Sequence, residues 1–410
     1  MKSVLPDFAE VIVVGGGPAG LAAATLLRRQ GVASVLVIER EANAGGIPRH
    51  CGHFPYGLRE FNQLMRGPQY AARLVSDAVA AGVDIRTGVT VLSLHDGPSV
   101  TVTSDAGVAQ VGASRIILAM GVRETSRAAR SIGGTKPRGV LSTGALQGLV
   151  YLEGLRPFRR PIILGTELVA MSAILTCRHL GIRPAAMVES GPRATARWPA
   201  GMFPRLCGIP LMLNTQLEAI EGDASVSGVL LRGPDGVSRH IDADGVIVTG
   251  GFRPEAALLA GSDLAVDVGT RGPQVDSFGR CSAPAFFAAG NLLRAVETAG
   301  VCWAEGRAVA RAVLRSLKGE LPKPASCGRV KLRGDALAYV MPQQVSTTQD
   351  APAFPTLQLR LNRAARGRLV CTRDGVTLSS QRINSLPERR INVPLPLAAG
   401  DLTITLESSD

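Results

Sequence analysis

Short apolar runs rich in β-branched residues alternate with helix-length stretches along most of this chain, and brief alternating runs take over towards its end. Val11–Val14 is the first apolar run, and a helical pattern opens near Pro18. A second strand follows and ends at Glu39. The spacing predicts a helix over Gln69–Ala81, then strands at Asp84–Arg86, Thr90–His95, Val100–Thr103 and Val108–Gly112, with a hairpin in SVTVTSDAGVAQV. Arg115–Met120 reads as a further buried strand, ended by Gly121. Leu141–Gly154 crosses into a new unit: strand Pro161–Leu164, helix Glu167–Leu180, strand Ala185–Val188. Strand-rich sequence from Leu211 to Val248, with a turn at Gly233–Gly236, ends in IVTGGFRPE. The pattern then returns to the first unit, with strand Phe286–Ala289, turn Gly290–Asn291 and a long helix Thr298–Leu317. Beyond the linker LPKPASCG, runs at Leu357–Leu361, Arg368–Thr372, Arg390–Val393 and Leu402–Leu406 predict a small β-rich domain.

The order predicts an α/β fold in which one Rossmann-like dinucleotide domain (1–123 and 256–320) is interrupted by another (124–255), with a linker and small β-rich domain at 321–410. The strongest motif lies at the first βα turn. Gly15, Gly17 and Gly20 fill the three glycine positions of G-x-G-x-x-G. They allow the tight turn, the approach of backbone to a pyrophosphate, and close helix–strand packing. Phosphates would meet the unpaired N–H groups of the helix that starts at Pro18–Ala19. Glu39, at the end of the next strand, stands where a carboxylate accepts ribose hydroxyls.

The second turn, Gly165-Thr166-Glu167-Leu168-Val169-Ala170, keeps the first glycine and has Ala at the third position. Its middle position is Glu167, whose side chain would block the backbone and whose charge would repel a pyrophosphate. NAD(P) binding is therefore doubtful here, although Glu189 could still hold a ribose.

Composition narrows the function. The net charge of +12 invites a nucleic-acid reading, but only five of the 45 basic residues are lysine, the arginines are scattered, and aromatics make up 4%. No nucleic-acid partner is expected. Seven scattered cysteines contain no C-x-x-C, which argues against a disulfide framework, a zinc or iron–sulfur site and a dithiol redox pair. No metal site is expected. MKSVLPDFAE lacks a secretory apolar region and no stretch reads as a membrane span, so a cytoplasmic setting is expected.

The segments VVGGGPAG, RIILAMG followed by Val122-Arg123-Glu124, the second βαβ unit and FFAAGN…ETAGVCWAEG resemble the flavoproteins with two dinucleotide-binding domains, over about residues 8–320. The loop GGIPRHCGH…GLREF further resembles the FAD-bearing subunits of heteromeric dehydrogenases, of the opine oxidase, hydrogen cyanide synthase and D-hydroxyproline dehydrogenase type. The resemblance implies FAD held by Gly15, Gly17, Pro18, Ala19, Gly20, Glu39 and Arg40. It runs Gly45, Gly46, Ile47 and Arg49 beside the flavin and pyrophosphate. Ala119, Met120 and Gly121 match the exit from the FAD domain, with Met120 in place of the usual threonine. Gly290 and Asn291 match the second FAD motif, with Asn291 in place of aspartate. Thr298 and Ala299 would start a helix whose N-terminus favours negative charge at the carbonyl edge of reduced flavin.

In the flavin loop, His50, Cys51 and His53 are the catalytic candidates, one histidine serving as proton donor or base; the plainer reading is a loop that only packs against the cofactor. Glu297 could cap the last helix, and Trp198 is expected to anchor a loop in a core. The resemblance implies an FAD-dependent oxidoreductase subunit that accepts or relays electrons from a small amine, imino acid or hydroxy acid. Its implied partner is a second flavoprotein or an iron–sulfur subunit. Two other readings remain open: a stand-alone NAD(P)H-dependent flavin reductase, and a non-catalytic nucleotide-holding scaffold.

Overall fold

A computed structural model describes residues 5–346, 351–396 and 400–408. The first sheet runs in the order Asp84–Arg86, Val35–Ile38, Phe8–Val14, Gly107–Leu118, Ser99–Ser104, Thr90–His95. Phe286–Ala288 pairs in parallel with the second half of Gly107–Leu118. The central register is Val37 beside Val13 and Val13 beside Ile117. Val11–Val14 is buried on both faces, which is why it reads as an unbroken apolar run rather than an alternation. Helices Pro18–Arg29 and Ala299–Leu317 pack on this sheet and on each other.

Two strands foreseen separately, Val108–Gly112 and Arg115–Met120, are one strand of twelve residues, Gly107–Leu118. Its first half is exposed and pairs antiparallel with Ser99–Ser104; its second half is buried and pairs parallel with Phe8–Val14. The change of neighbours changes the polarity pattern without interrupting the backbone. The long helices otherwise start and end within two residues of expectation, at Gly67–Ala80, Leu168–His179 and Ala299–Leu317.

The chain leaves and returns through a two-stranded link, Val122–Arg123 with Arg253–Pro254. Between these lies a parallel sheet in the order Leu211–Met212, Ala186–Val188, Pro161–Leu164, Gly245–Val248, Val140–Ser142. Beside it lies a meander of Gln216–Gly222, Val226–Arg232 and Ser238–Asp242. One α/β dinucleotide fold thus interrupts another.

The last part folds as a five-stranded and a three-stranded sheet around a core that includes Leu357, Leu359, Leu369, Leu402 and Ile404. The sequence pattern missed its strand Val376–Ser385, whose VTLSSQRINS carries few apolar residues because it is mostly exposed at the sheet edge.

Candidate active site

The first glycine turn, the exit from the Gly107–Leu118 strand and the Gly290 turn meet at the carboxyl edge of the parallel strands. This is the crevice where open α/β sheets bind ligands. Ala119 N–H donates to Val14 O (2.8 Å), Gly15 N–H to Ile38 O (2.9 Å) and Ala289 N–H to Leu118 O (3.1 Å). Each glycine has its own job. A Cβ on Gly15 would lie 2.5 Å from Ala119 O, and one on Gly20 would lie 2.0 Å from Gly15 O. Both are therefore packing glycines. Gly17 is different: a Cβ there meets nothing nearer than Gly46 Cα at 4.0 Å. A Cβ would therefore make only an ordinary contact at the start of the Pro18–Arg29 helix, whose N-cap Gly17 offers no side chain to its first-turn N–H groups. Such a cradle suits a pyrophosphate.

Glu39 is buried and accepts from the N–H of Gly16 (2.9 Å) and of Glu41 (2.9 Å), which fixes its carboxylate beside the turn. Its remaining lone pairs can take hydroxyl donors. Gly45 N–H donates to Gly16 O (2.7 Å), and Gly46 comes so close to Gly17 that a Cβ would be 2.9 Å from Gly17 Cα. Arg49 pairs with Glu41 across the loop. Ile47 is largely exposed, and Arg40 points outward to a long-range pair with Glu255 at 3.9 Å. Ala119 is buried, whereas Met120 and Gly121 are half-buried at the exit. The donor set and the cradle fit an FAD dinucleotide.

Asn291 is committed within the protein. Its Nδ2 donates to Glu297 O (3.1 Å), and its Oδ1 accepts from Glu297 N–H (2.6 Å). The pair closes a ring that sets the entry to the Ala299–Leu317 helix, leaving one amide hydrogen and one lone pair for a ligand. Thr298 is the N-cap but its side chain makes no capping bond. Glu297 does not cap the helix by charge either: its carboxylate pairs with Arg390 at 2.9 Å and lies 3.8 Å from Arg294. Sequence reading missed Gly306, where a Cβ would strike Ala19 O at 2.1 Å. It lets the last helix cross the first at the phosphate turn. Its only signal was a glycine inside an otherwise helical run.

The three catalytic candidates sit on one short turn, Ile47–His50, and the residues after it. Burial lowers the His50 pKa, and its Nε2 is buried without a partner among the described residues. His53 Nδ1 lies 2.9 Å from Phe54 O. Cys51 is buried, with its Sγ 3.4 Å from Ile47 O and 3.5 Å from Gln147 Oε1. Burial pushes its thiol up to about 11. A pKa of that size leaves about one thiolate in a thousand at pH 8, which favours the packing role of Cys51 over the nucleophilic one. Alkylation of Cys51 at pH 8, followed by mass spectrometry of its peptide, is expected to be at least about a hundredfold slower in the native than in the unfolded chain. Cys51→Ser is expected to retain FAD. Rapid native labelling would restore the nucleophile reading.

The second glycine turn holds a carboxylate at its middle position. Glu167 folds back so that its carboxylate accepts from Thr249 Oγ1 (3.0 Å) and crowds Gly165 and Gly250, whose Cβ positions would lie 2.5 and 2.3 Å from its oxygens. Burial raises its pKa. Glu189 is also occupied: it accepts from Thr166 Oγ1, from Gly191 N–H (3.1 Å) and from Thr195 Oγ1 (3.3 Å). Trp198, expected in a core, is 81% exposed. Among the described residues no helix is long and apolar enough to cross a membrane.

Comparison with known proteins agrees with this geometry. The family model of the pyridine nucleotide-disulphide oxidoreductases matches residues 9–306. Dihydrolipoyl dehydrogenase of Pseudomonas aeruginosa is 26% identical over 357 residues, covering 77% of this chain and 74% of its own. Hydrogen cyanide synthase subunit HcnB of Pseudomonas protegens is 32% identical over 186 residues, covering 44% of this chain and 38% of its own. The crystal structure of T. acidophilum thioredoxin reductase superposes with a TM-score of 0.65 at 22% identity, covering 76% of this chain and all of that one, a likeness of fold. With the family model spanning both dinucleotide folds and an FAD cradle in the first, the chain belongs to the pyridine nucleotide-disulphide oxidoreductase family and is an FAD-dependent oxidoreductase.

Proposed function

We propose that this chain is the FAD-bearing subunit of a heteromeric dehydrogenase. It takes up electrons from a small amine, imino acid or hydroxy acid and passes them to a second flavoprotein or iron–sulfur subunit. The observation that carries the reading is the contrast between the two glycine turns. Gly17 puts no side chain at its helix start, while Glu167 stands at the corresponding place in the second fold. A flavin without a nicotinamide site must exchange electrons with something else. HcnB, a relative over part of the chain, bears the name of a subunit. The substrate class rests on the likeness of the flavin loop to such subunits. A cytoplasmic setting is proposed on the seven free thiols.

FAD, when bound, supplies the two-electron chemistry. The chain supplies the rest. The Gly15–Gly20 turn and the helix start would hold the phosphates, and Glu39 the ribose. Gly45, Gly46 and Arg49 line the approach. The positive end of the Ala299–Leu317 helix favours negative charge at the far end of the site. His50, its pKa lowered by burial, can accept a proton, and His53 stands three residues on at the half-exposed rim.

Purified chain is expected to be yellow, with absorbance near about 450 nm. Anaerobic NADH or NADPH should leave that band intact over minutes, and substrate in the presence of the partner should bleach it. Rapid bleaching by NADH would return the protein to the stand-alone reductase reading. A colourless protein would favour the scaffold.

A further inference from the structure

We propose that the outer face of residues 193–206, centred on Trp198, Met202 and Leu206, is the docking surface for the partner subunit. That partner would present an apolar recess rimmed by carboxylates. The proposal rests on the heteromeric reading above.

The segment leaves the second fold directly after Glu189 and returns over the turn that holds Thr166. Thr195 N–H donates to Thr166 Oγ1 (2.8 Å) and Ala196 N–H to Thr166 O (2.9 Å). It then runs as a short helical stretch, Ala200–Met202 and Phe203–Leu206. The inner side of that stretch is anchored: Pro204 is buried, and Phe203 and Cys207 pack against the core around Ile174 and Cys177. Three large apolar side chains of the same segment are left in solvent: Trp198, 81% exposed, on the turn before the helical stretch, and Met202 (47%) and Leu206 (76%) on it. Leu168, two residues from the Thr166 anchor, is 63% exposed on the neighbouring helix start.

The segment thus has apolar side chains on its anchored side and further large apolar side chains left uncovered. Trp, Met and Arg are the residues enriched in protein interfaces, and a central Trp is a frequent hot spot. These apolar side chains are flanked by the exposed Arg197 and Arg205, neither of which pairs with a carboxylate among the described residues. A partner that satisfies both charges therefore brings acidic groups to the rim. The segment is tied to the second fold through Thr166, Phe203 and Cys207, so its apolar side chains stand at fixed positions, which suits the close packing of a protein recess. The second dinucleotide fold, with Glu167 in its glycine turn, thereby has a use: it carries the docking segment on that turn.

The test uses the full chain with its FAD, tagged and isolated with its stoichiometric partner from the native host. Titration of the separated subunits is then repeated with Trp198→Ala, Leu206→Glu and, as a control, Val268→Ala. Val268 is 92% exposed in another part of the chain. Trp198→Ala and Leu206→Glu are each expected to weaken association at least about 30-fold, with FAD content and thermal midpoint unchanged and the control unaffected. Unchanged affinity in both variants overturns the assignment. So does loss of binding to phosphatidylglycerol vesicles with the partner retained, which would make the face a membrane contact. A dimer in sedimentation that depends on these side chains would assign the face to a second copy and overturn it equally. If the chain isolates as a monomer that oxidises its substrate unaided, the heteromeric reading itself falls. If the complex forms and survives both variants, only the surface assignment does.

Discussion

A chain carrying Gly17→Glu is expected to purify colourless. The substitution places in the first turn the residue type that the second turn carries naturally at Glu167. The backbone can accept it: the nearest atom to a Cβ at Gly17 is Gly46 Cα at 4.0 Å, so the fold has room where the cofactor is expected. What cannot be accommodated is the pyrophosphate. A carboxylate about 4 Å from a phosphate charge costs about 4 kcal/mol at the effective dielectric of a protein surface. That corresponds to roughly a thousandfold in affinity, before the steric conflict is added. Gly17→Ala, with a methyl and no charge, should cost only about tenfold by crowding the backbone approach. The readouts are flavin released on denaturation and circular dichroism. Full FAD occupancy in a folded Gly17→Glu protein would mean that the phosphates lie elsewhere.

The two turns also show how far the sequence could be read. Three glycines and an acidic strand end placed the first cradle because each residue answers a local steric demand, and such demands are visible in a run of six residues. Glu167 was legible for the same reason, as a side chain where none fits. Gly306 was not, because its reason lies in Ala19, far away in the chain. Trp198 was misread for a related reason. Burial depends on what the rest of the fold presents, and large apolar side chains are buried often enough that exposure is the surprise. Cys51 and His50 lie side by side after Ile47, but the ionisation of both follows chiefly from burial in the folded chain, which the local pattern does not reveal. The strand Val376–Ser385 escaped because an exposed edge strand needs no apolar alternation.

Arg294→Met is expected to be among the most destabilising single substitutions in the chain. Arg294 is 0% exposed and sits on the turn between Asn291 and Glu297. Its guanidinium forms a two-armed pair with Glu305 on the last helix, one arm at 3.0 Å, and gives two hydrogen bonds to Gln358 Oε1 in the C-terminal β-rich part, at 2.8 and 3.0 Å. Arg390 from that same part reaches Glu297 at 2.9 Å. Methionine fills most of the volume but leaves the buried Glu305 carboxylate without its counter-charge, which costs about 3–5 kcal/mol. Lysine should rescue little, because one ammonium cannot serve Glu305 and Gln358 in the planar fork that the guanidinium provides. The double variant Arg294→Met with Glu305→Leu should recover most of the loss, since it removes both charges together. Urea denaturation of the three variants checks the order, and a loss below about 1 kcal/mol in Arg294→Met would show the cluster to be wet and screened. FAD content supplies the second readout. Because Arg294 holds the segment that carries Gly290, Asn291 and the start of the last helix, the single variant should release flavin more readily even below its unfolding transition, and the double variant should regain it only in part. Recovery of stability without recovery of flavin would separate the charge balance of the cluster from its fork geometry, and would tie the β-rich part to the flavin site through Gln358.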